Sequence, residues 1–216
     1  MRNNKLILFF SFSLLIGLLW ISPILAQEEE YVDPNVPESW YEAPQSASEI
    51  GIEEFQQSPV LDEKVEMGEL ATVEERLPKD PPVIEPYEKV GEYGGTASIW
   101  DRSIEQWALD DFSEATALRV TVDGKKIIPS HIKEYEYTDD YKGLTFHLYE
   151  GMKWSNGDDF TSEDYLYWWE YEANNEDLTP VPPENWNPPL VDVTAEDKWT
   201  VTFHYDRAVP NAHLGF

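Results

Sequence analysis

The sequence contains no cysteine among its 216 residues. Without a thiol the chain can carry no cysteine nucleophile, no thiolate metal site and no disulfide. We also expect no lipid anchor of the bacterial lipoprotein kind, because that anchor is attached to a cysteine. The fold must therefore be stabilised by burial of apolar side chains, for which a chain of this length is large enough.

Positive charge is also scarce. The chain has 15 basic residues against 43 acidic ones, which gives a formal net charge of -28. A surface this negative repels phosphate backbones, so we expect no nucleic-acid partner. Aromatic residues are abundant by contrast, with 9 Trp and 12 Tyr. An acidic, aromatic-rich protein suits the handling of neutral or cationic polar solutes.

Motifs that would identify a reaction are missing. The glycines at Gly94 and Gly95 lack the spacing of a phosphate-binding loop, and the chain has no Gly-x-Ser-x-Gly elbow. No carboxylate pair stands in a context that identifies it as catalytic. The four histidines show no paired spacing, and we interpret them as structural: His131, His147, His204 and His213. We therefore expect no catalytic residue, no metal site and no cofactor.

The N-terminus has the form of a secretion signal over residues 1–26. Arg2 and Lys5 precede an apolar run over 6–25, and Ala26 is followed by a strongly acidic segment. We expect cleavage after Ala26 and a periplasmic or extracellular protein. The alternative is an uncleaved membrane anchor, because the run approaches the roughly 20 residues that span a bilayer.

Residues 27–81 form an acidic, proline-bearing N-terminal arm in our interpretation. Residues 27–49 have few aliphatic side chains, so we expect them to be mobile and dispensable. Ser58 and Gly68 delimit a short helix near 59–67, since serine is a common N-cap and glycine commonly follows a helix C-terminus.

Alternating apolar and polar residues predict strands further along the chain. The predicted strands are Thr96–Trp100, Leu118–Val122, Ile132–Tyr137, Leu144–Leu148, Val191–Val193 and Trp199–Tyr205. Asp123-Gly124 is a hairpin signal, and Asn156-Gly157 marks a further tight turn. Thr161 is the expected N-cap of a helix over 162–173, whose apolar face (Tyr165, Trp168 and Trp169) we assign to the core. Strands with one clear helix indicate an α/β fold, a mixed sheet with few helices.

Three tryptophans lie in predicted loops or at strand ends: Trp100, Trp107 and Trp186. Aromatic side chains on loops of a rigid scaffold are candidates for ligand contacts. Packing beneath a loop is the alternative for each of them.

The segment from Lys142 to Gly157 resembles the family-5 solute-binding proteins of bacterial ABC transporters, the peptide, dipeptide and nickel group. In that family a strand ending in Phe-x-Leu-Arg-x-Gly runs into Lys-Trp/Phe-Ser/His-Asp-Gly, and a Thr-Ala-Glu-Asp helix start follows. Here Phe146 to Trp154 and then 160–164 (Phe-Thr-Ser-Glu-Asp) fit this order. Tyr149 departs from the family's usual basic residue, and Asn156 replaces aspartate.

The resemblance implies a two-lobed protein of the type II periplasmic-binding-protein kind, which closes on a ligand. Residues 82–216 would supply the opening part of the first lobe, so we expect the chain to be truncated relative to the family. The implied role is capture of peptides for an ABC permease and its ATPase. The alternative is an oligosaccharide ligand, while a carbohydrate-active enzyme or a structural surface protein fits less well.

The resemblance also implies where ligand contacts lie. In the family they come from the loop after the first strand and from the segment after the helix, which correspond here to residues 101–107 and 178–186. Together with Trp100, which directly precedes the first segment, the candidates are Ser103, Glu105, Trp107, Thr179, Val181 and Trp186.

Overall fold

The computed structural model describes residues 36–96, 98, 116–180 and 190–215. The proposed signal and most of the predicted strand Thr96–Trp100 lie outside these ranges, so they stay predictions. All described residues belong to one compact unit, Asp33–Phe216. Within the described ranges, no helix is both long enough and apolar enough to cross a bilayer.

The first described part contains short elements joined by extended chain. They are a 3-10 helix at Glu38–Tyr41, β1 (Gln45–Ser46), a 3-10 turn at Pro59–Leu61, α1 (Asp62–Glu66), α2 (Val73–Arg76) and β2 (Pro82–Val83). β1 and β2 pair antiparallel, and buried Ala47 donates its N–H to the carbonyl of Pro81 at 2.9 Å. These bonds connect part of the predicted arm to the chain around residue 82.

A four-stranded antiparallel sheet forms the centre of the described structure. Its strands are β5 (Ile132–Tyr137), β6 (Gly143–Leu148), β7 (Leu190–Asp197) and β8 (Thr200–Tyr205), in the spatial order β5-β6-β8-β7. The predicted strands over 132–137, 144–148 and 199–205 are confirmed; β5 pairs antiparallel with β6, and β7 pairs antiparallel with β8. β7 is longer than the predicted strand.

One face of this sheet carries the core. In β6 and β8 alternate residues are buried, as the period of two in a strand requires. Leu144 lies opposite Phe203 and Phe146 opposite Val201, and all four are fully buried. On the other face, the hydroxyl groups of Thr145 and Thr202 are 2.9 Å apart and form a hydrogen bond.

The predicted helix over 162–173 is present and packs on this core. α3 covers Ser162–Trp168, and a π-helical turn at Trp169–Ala173 continues it. The ring of Tyr165 lies 5.8 Å from that of Phe203 in an edge-on arrangement, and Trp168 and Trp169 also pack against the core. The assignment of these three side chains to the core is therefore confirmed.

A smaller hairpin consists of β3 (Leu118–Val120) and β4 (Ile127–Pro129). The turn contains Gly124 with φ of 74°, which glycine adopts at no steric cost. The strand ends at Val120 rather than at Val122, because Asp123 accepts hydrogen bonds from Thr121 Oγ1 and Lys125 N and closes the turn early. Val120, the last residue of the strand, and Val122 in the turn are both exposed.

Candidate ligand-binding site

Only one of the seven candidate contact residues lies in the described ranges, namely Thr179. The other six lie outside them: Trp100, Ser103, Glu105, Trp107, Val181 and Trp186. The combined contact set therefore stays a prediction.

Thr179 is half-buried and holds the chain that leaves the helix. Its Oγ1 donates a hydrogen bond to the carbonyl of Glu172 at 2.9 Å, and its N–H donates to the carbonyl of Asn175 at 2.7 Å. Carbonyl groups at a helix C-terminus lack intrahelical partners, and Thr179 satisfies one of them. Because the hydroxyl hydrogen of Thr179 is donated to Glu172, it is not available to a ligand. This favours a role for Thr179 in positioning the chain after the helix.

His131 connects the chain at the end of the undescribed segment 99–115 to the helix. Its N–H donates to the carbonyl of Thr116 at 3.4 Å. Its imidazole lies edge-on to Phe160 at 6.1 Å, and its Nε2 is 3.4 Å from the hydroxyl oxygen of Tyr165. The chain that follows the first predicted ligand segment is therefore fixed beside α3.

An aromatic hollow of about 270 Å³ lies at this place, lined by His131, Met152, Lys153, Trp154 and Phe160. The rings of Trp154 and Phe160 meet edge-on with centroids 4.9 Å apart. Trp154 keeps 48% of its surface exposed. Exposed ring faces offer apolar surface to a sugar ring or to an apolar side chain of a peptide.

Local structure explains how these rings come together. Lys153 and Asp159 form an antiparallel bridge across the turn at Asn156-Gly157, which places the following residues on the same side. Gly157 has φ of 94°, which supports this tight turn. The indole Nε1 of Trp154 then donates to Asp164 Oδ1 at 2.9 Å, which fixes the ring against the first turn of α3.

The rim of the aromatic hollow is charged. Lys153 forms an ion pair with Asp159, and Lys198 lies 3.6 Å from the same carboxylate. The hydrogen bond from Lys153 lowers the pKa of Asp159 below its usual value. Next to Phe160, burial raises the pKa of Tyr165 far above the usual value for tyrosine. In the part of the chain that the structure describes, no three His, Asp or Glu side chains are grouped so that they could hold a metal ion.

Sequence reasoning did not single out this hollow. In the sequence, Trp154 and Phe160 belong to the segments that resemble family 5, and the spacing of His131 favours a structural role. The signal that identifies the pair is the tight turn between them, since a bridge across Asn156-Gly157 brings the flanking rings together.

Residues 126–216 match the family described as "Bacterial extracellular solute-binding proteins, family 5 Middle". This range contains the four-stranded sheet, α3 and the aromatic hollow. A relative, the periplasmic alpha-galactoside-binding protein of Rhizobium meliloti, is 29% identical over 188 residues, which cover 76% of this chain and 27% of that protein.

Two solved structures have a similar fold. An oligopeptide-binding protein OppA superposes with a TM-score of 0.68 at 33% identity, over 81% of this chain and 27% of OppA. The periplasmic binding protein MelB of Agrobacterium fabrum C58, solved with stachyose, gives 0.58 at 24% identity, over 83% of this chain and 29% of MelB. The chain spans little more than a quarter of the length of these proteins. Residues 126–216 therefore match family 5 of the bacterial extracellular solute-binding proteins, and the chain carries part of the α/β fold of the two solved structures.

Proposed function

We propose that this protein captures oligopeptides outside the cytoplasm and delivers them to an ABC importer. The observation that carries the proposal is the match of residues 126–216 to the family of extracellular solute-binding proteins. Such proteins bind a ligand in a cleft and close around it by a hinge motion. The aromatic hollow beside α3 offers the kind of apolar, half-exposed surface that a binding cleft requires.

Two observations favour a peptide ligand. The superposition on OppA reaches 33% identity with a TM-score of 0.68, and OppA is an oligopeptide-binding protein by name. The net charge of -28 also favours peptides with basic side chains, because a negative surface attracts cations and raises their association rate.

An oligosaccharide is the second candidate ligand. The alpha-galactoside-binding relative covers 76% of this chain, a larger share than the family profile does. The exposed face of Trp154 suits this ligand equally well, because apolar faces of sugar rings stack on indole. Binding of peptides and binding of α-galactosides therefore both have to be measured.

The protein acts after removal of residues 1–26, and it hands its ligand to a permease with an attached ATPase. It catalyses no reaction itself; its relatives are named for binding.

Isothermal titration calorimetry tests the ligand assignment. The measurement uses a form of the protein that carries both lobes of the fold, titrated with lysine-containing tripeptides to pentapeptides and, separately, with raffinose and stachyose. Saturable binding of the peptides alone supports the main proposal. Binding of the sugars alone transfers the assignment to the second candidate. Turnover of either ligand contradicts a binding protein.

Substitutions then test the predicted contacts. We expect Trp107→Ala and Trp186→Ala to weaken binding several-fold with little change in melting temperature, because a stacking contact is worth about 1 kcal/mol beyond burial. Tyr171→Ala is the matched control, since Tyr171 is an aromatic side chain with 52% exposure outside the predicted segments. A large drop in melting temperature with unchanged affinity would assign the tryptophan to the core instead.

A further inference from the structure

A second hollow, which we call the Trp40 hollow, lies between the first described part of the chain and β3. Its volume is about 440 Å³, and its wall includes Trp40, Ile50, Ile52, Val83, Ile84 and Arg119. Small-molecule sites commonly have volumes of roughly 300–1,000 Å³. None of these residues belongs to the aromatic hollow or to the predicted ligand segments.

The wall of the Trp40 hollow is held in place by hydrogen bonds. The indole Nε1 of Trp40 donates to the carbonyl of Glu85 at 2.7 Å, and its ring lies 5.9 Å from that of Tyr87. The pairing of β1 with β2 aligns Gln45 with Val83. The indole is therefore fixed in one orientation.

The apolar part of the wall is accessible. Ile50 is 43% exposed, Ile52 is 38% exposed and Ile84 is 57% exposed. Exposed apolar surface gathered in a concave site, rather than scattered singly, is typical of ligand-binding grooves.

Arg119 supplies a positive charge to this apolar wall. Its side chain is half-buried, and none of the ion pairs among the described residues involves it. The carboxylate of Glu85, also in the wall, accepts a hydrogen bond from Ser39 Oγ at 2.8 Å instead. A guanidinium group presents donors in a planar fork that matches a carboxylate.

We propose that the Trp40 hollow binds a small monocarboxylate with an apolar body. The carboxylate pairs with Arg119, and the body lies against Trp40 and the isoleucines. Charge complementarity specifies the occupant, because Arg119 is the one cationic side chain among the described residues of the wall. A second negative charge on the ligand would meet Glu85, so a dicarboxylate is disfavoured.

NMR of ¹⁵N-labelled protein tests this proposal through the indole N–H of Trp40, whose signal is assigned by its loss in Trp40→Phe. The probes are 3-phenylpropionate and its amide, 3-phenylpropanamide, which share a body and differ in charge. We expect a saturable shift of the Trp40 signal with the acid and at least tenfold weaker binding of the amide. This comparison uses the unsubstituted protein, so it does not depend on whether a variant folds.

Charge variants complete the test. We expect Arg119→Gln to weaken binding of the acid at least tenfold and Arg119→Lys to restore part of it. Arg207→Gln is the matched control, because Arg207 is exposed and lies outside the wall. This substitution removes the same charge from the protein. No saturable shift, equal binding of acid and amide, or an equal loss in Arg207→Gln would each overturn the proposal.

Discussion

At the scale of single residues, Gly143 at the start of β6 occupies a position where an added side chain would clash with Thr138. A Cβ atom there would lie 2.8 Å from Thr138 Cγ2 and 3.3 Å from Thr138 Oγ1. Thr138 cannot turn away without loss, because its Oγ1 accepts the N–H of Gly143 and donates to Asp140 Oδ1, both at 2.8 Å. The φ of Gly143 is not in the left-handed region, so glycine is not needed there for its backbone conformation. It is needed because the chain at Gly143 lies so close to Thr138.

We therefore predict that Gly143→Ala lowers the free energy of unfolding by about 1–3 kcal/mol, the usual cost of overpacking a well-packed site. Gly91→Ala is the control, because a Cβ at Gly91 meets nothing within 4 Å and its φ is also outside the left-handed region. Urea unfolding followed by circular dichroism measures both. Equal stability of the two variants would show that Thr138 relaxes freely.

At the scale of elements, α3 is fixed at its N-terminus. Thr161 Oγ1 accepts a hydrogen bond from the N–H of Glu163 at 3.2 Å, while the side chain of Asp164 accepts from the N–H of Thr161 at 2.7 Å. Buried Ser162 donates its Oγ to the carbonyl of Asp197 at 2.5 Å, and its N–H donates to the carbonyl of Lys198 at 2.9 Å. The cap thus joins the helix to the end of β7.

We predict that Thr161→Ala destabilises the protein by about 1 kcal/mol, the typical cost of removing an N-cap side chain. Thr72→Ala removes the same kind of cap from α2, whose four residues include no buried one. Its cost should be smaller, because fraying of α2 releases no core contact. Thermal unfolding compares the two variants, and an equal cost would mean that docking of α3 adds nothing to its cap.

The elements also show what sequence patterns can and cannot predict. The strands and helix between residues 118 and 205 were predictable, because their periodicity and turn residues are local signals. The pairing of β1 with β2 was not, since two-residue strands have no periodicity and the partners are far apart in sequence. The same reason conceals the Trp40 hollow, because Arg119 and Trp40 line one wall only after the chain has folded.

At the scale of the whole molecule, burial of tyrosines couples stability to pH. Burial raises the pKa of Tyr165 and of Tyr205 far above the ordinary value of 10.0. Both groups are therefore neutral in the folded protein at a pH where they ionise in the unfolded chain. Their contribution is fully present below about pH 10 and is lost as the pH rises above it. Each ionisation also adds negative charge to a chain already at -28, which increases self-repulsion.

We accordingly predict cooperative unfolding above about pH 10, with tyrosine ionisation and loss of secondary structure occurring together. Tyr205→Phe should move this transition to higher pH, because it removes one of the buried ionising groups and keeps the ring in the core. Tyr171→Phe is the matched control, since Tyr171 is exposed on the π-helical turn and should leave the transition in place. Circular dichroism and tyrosinate absorbance, recorded over the same pH series, measure both events. Ionisation of all tyrosines before any loss of secondary structure would contradict the buried position of Tyr205 in the folded protein.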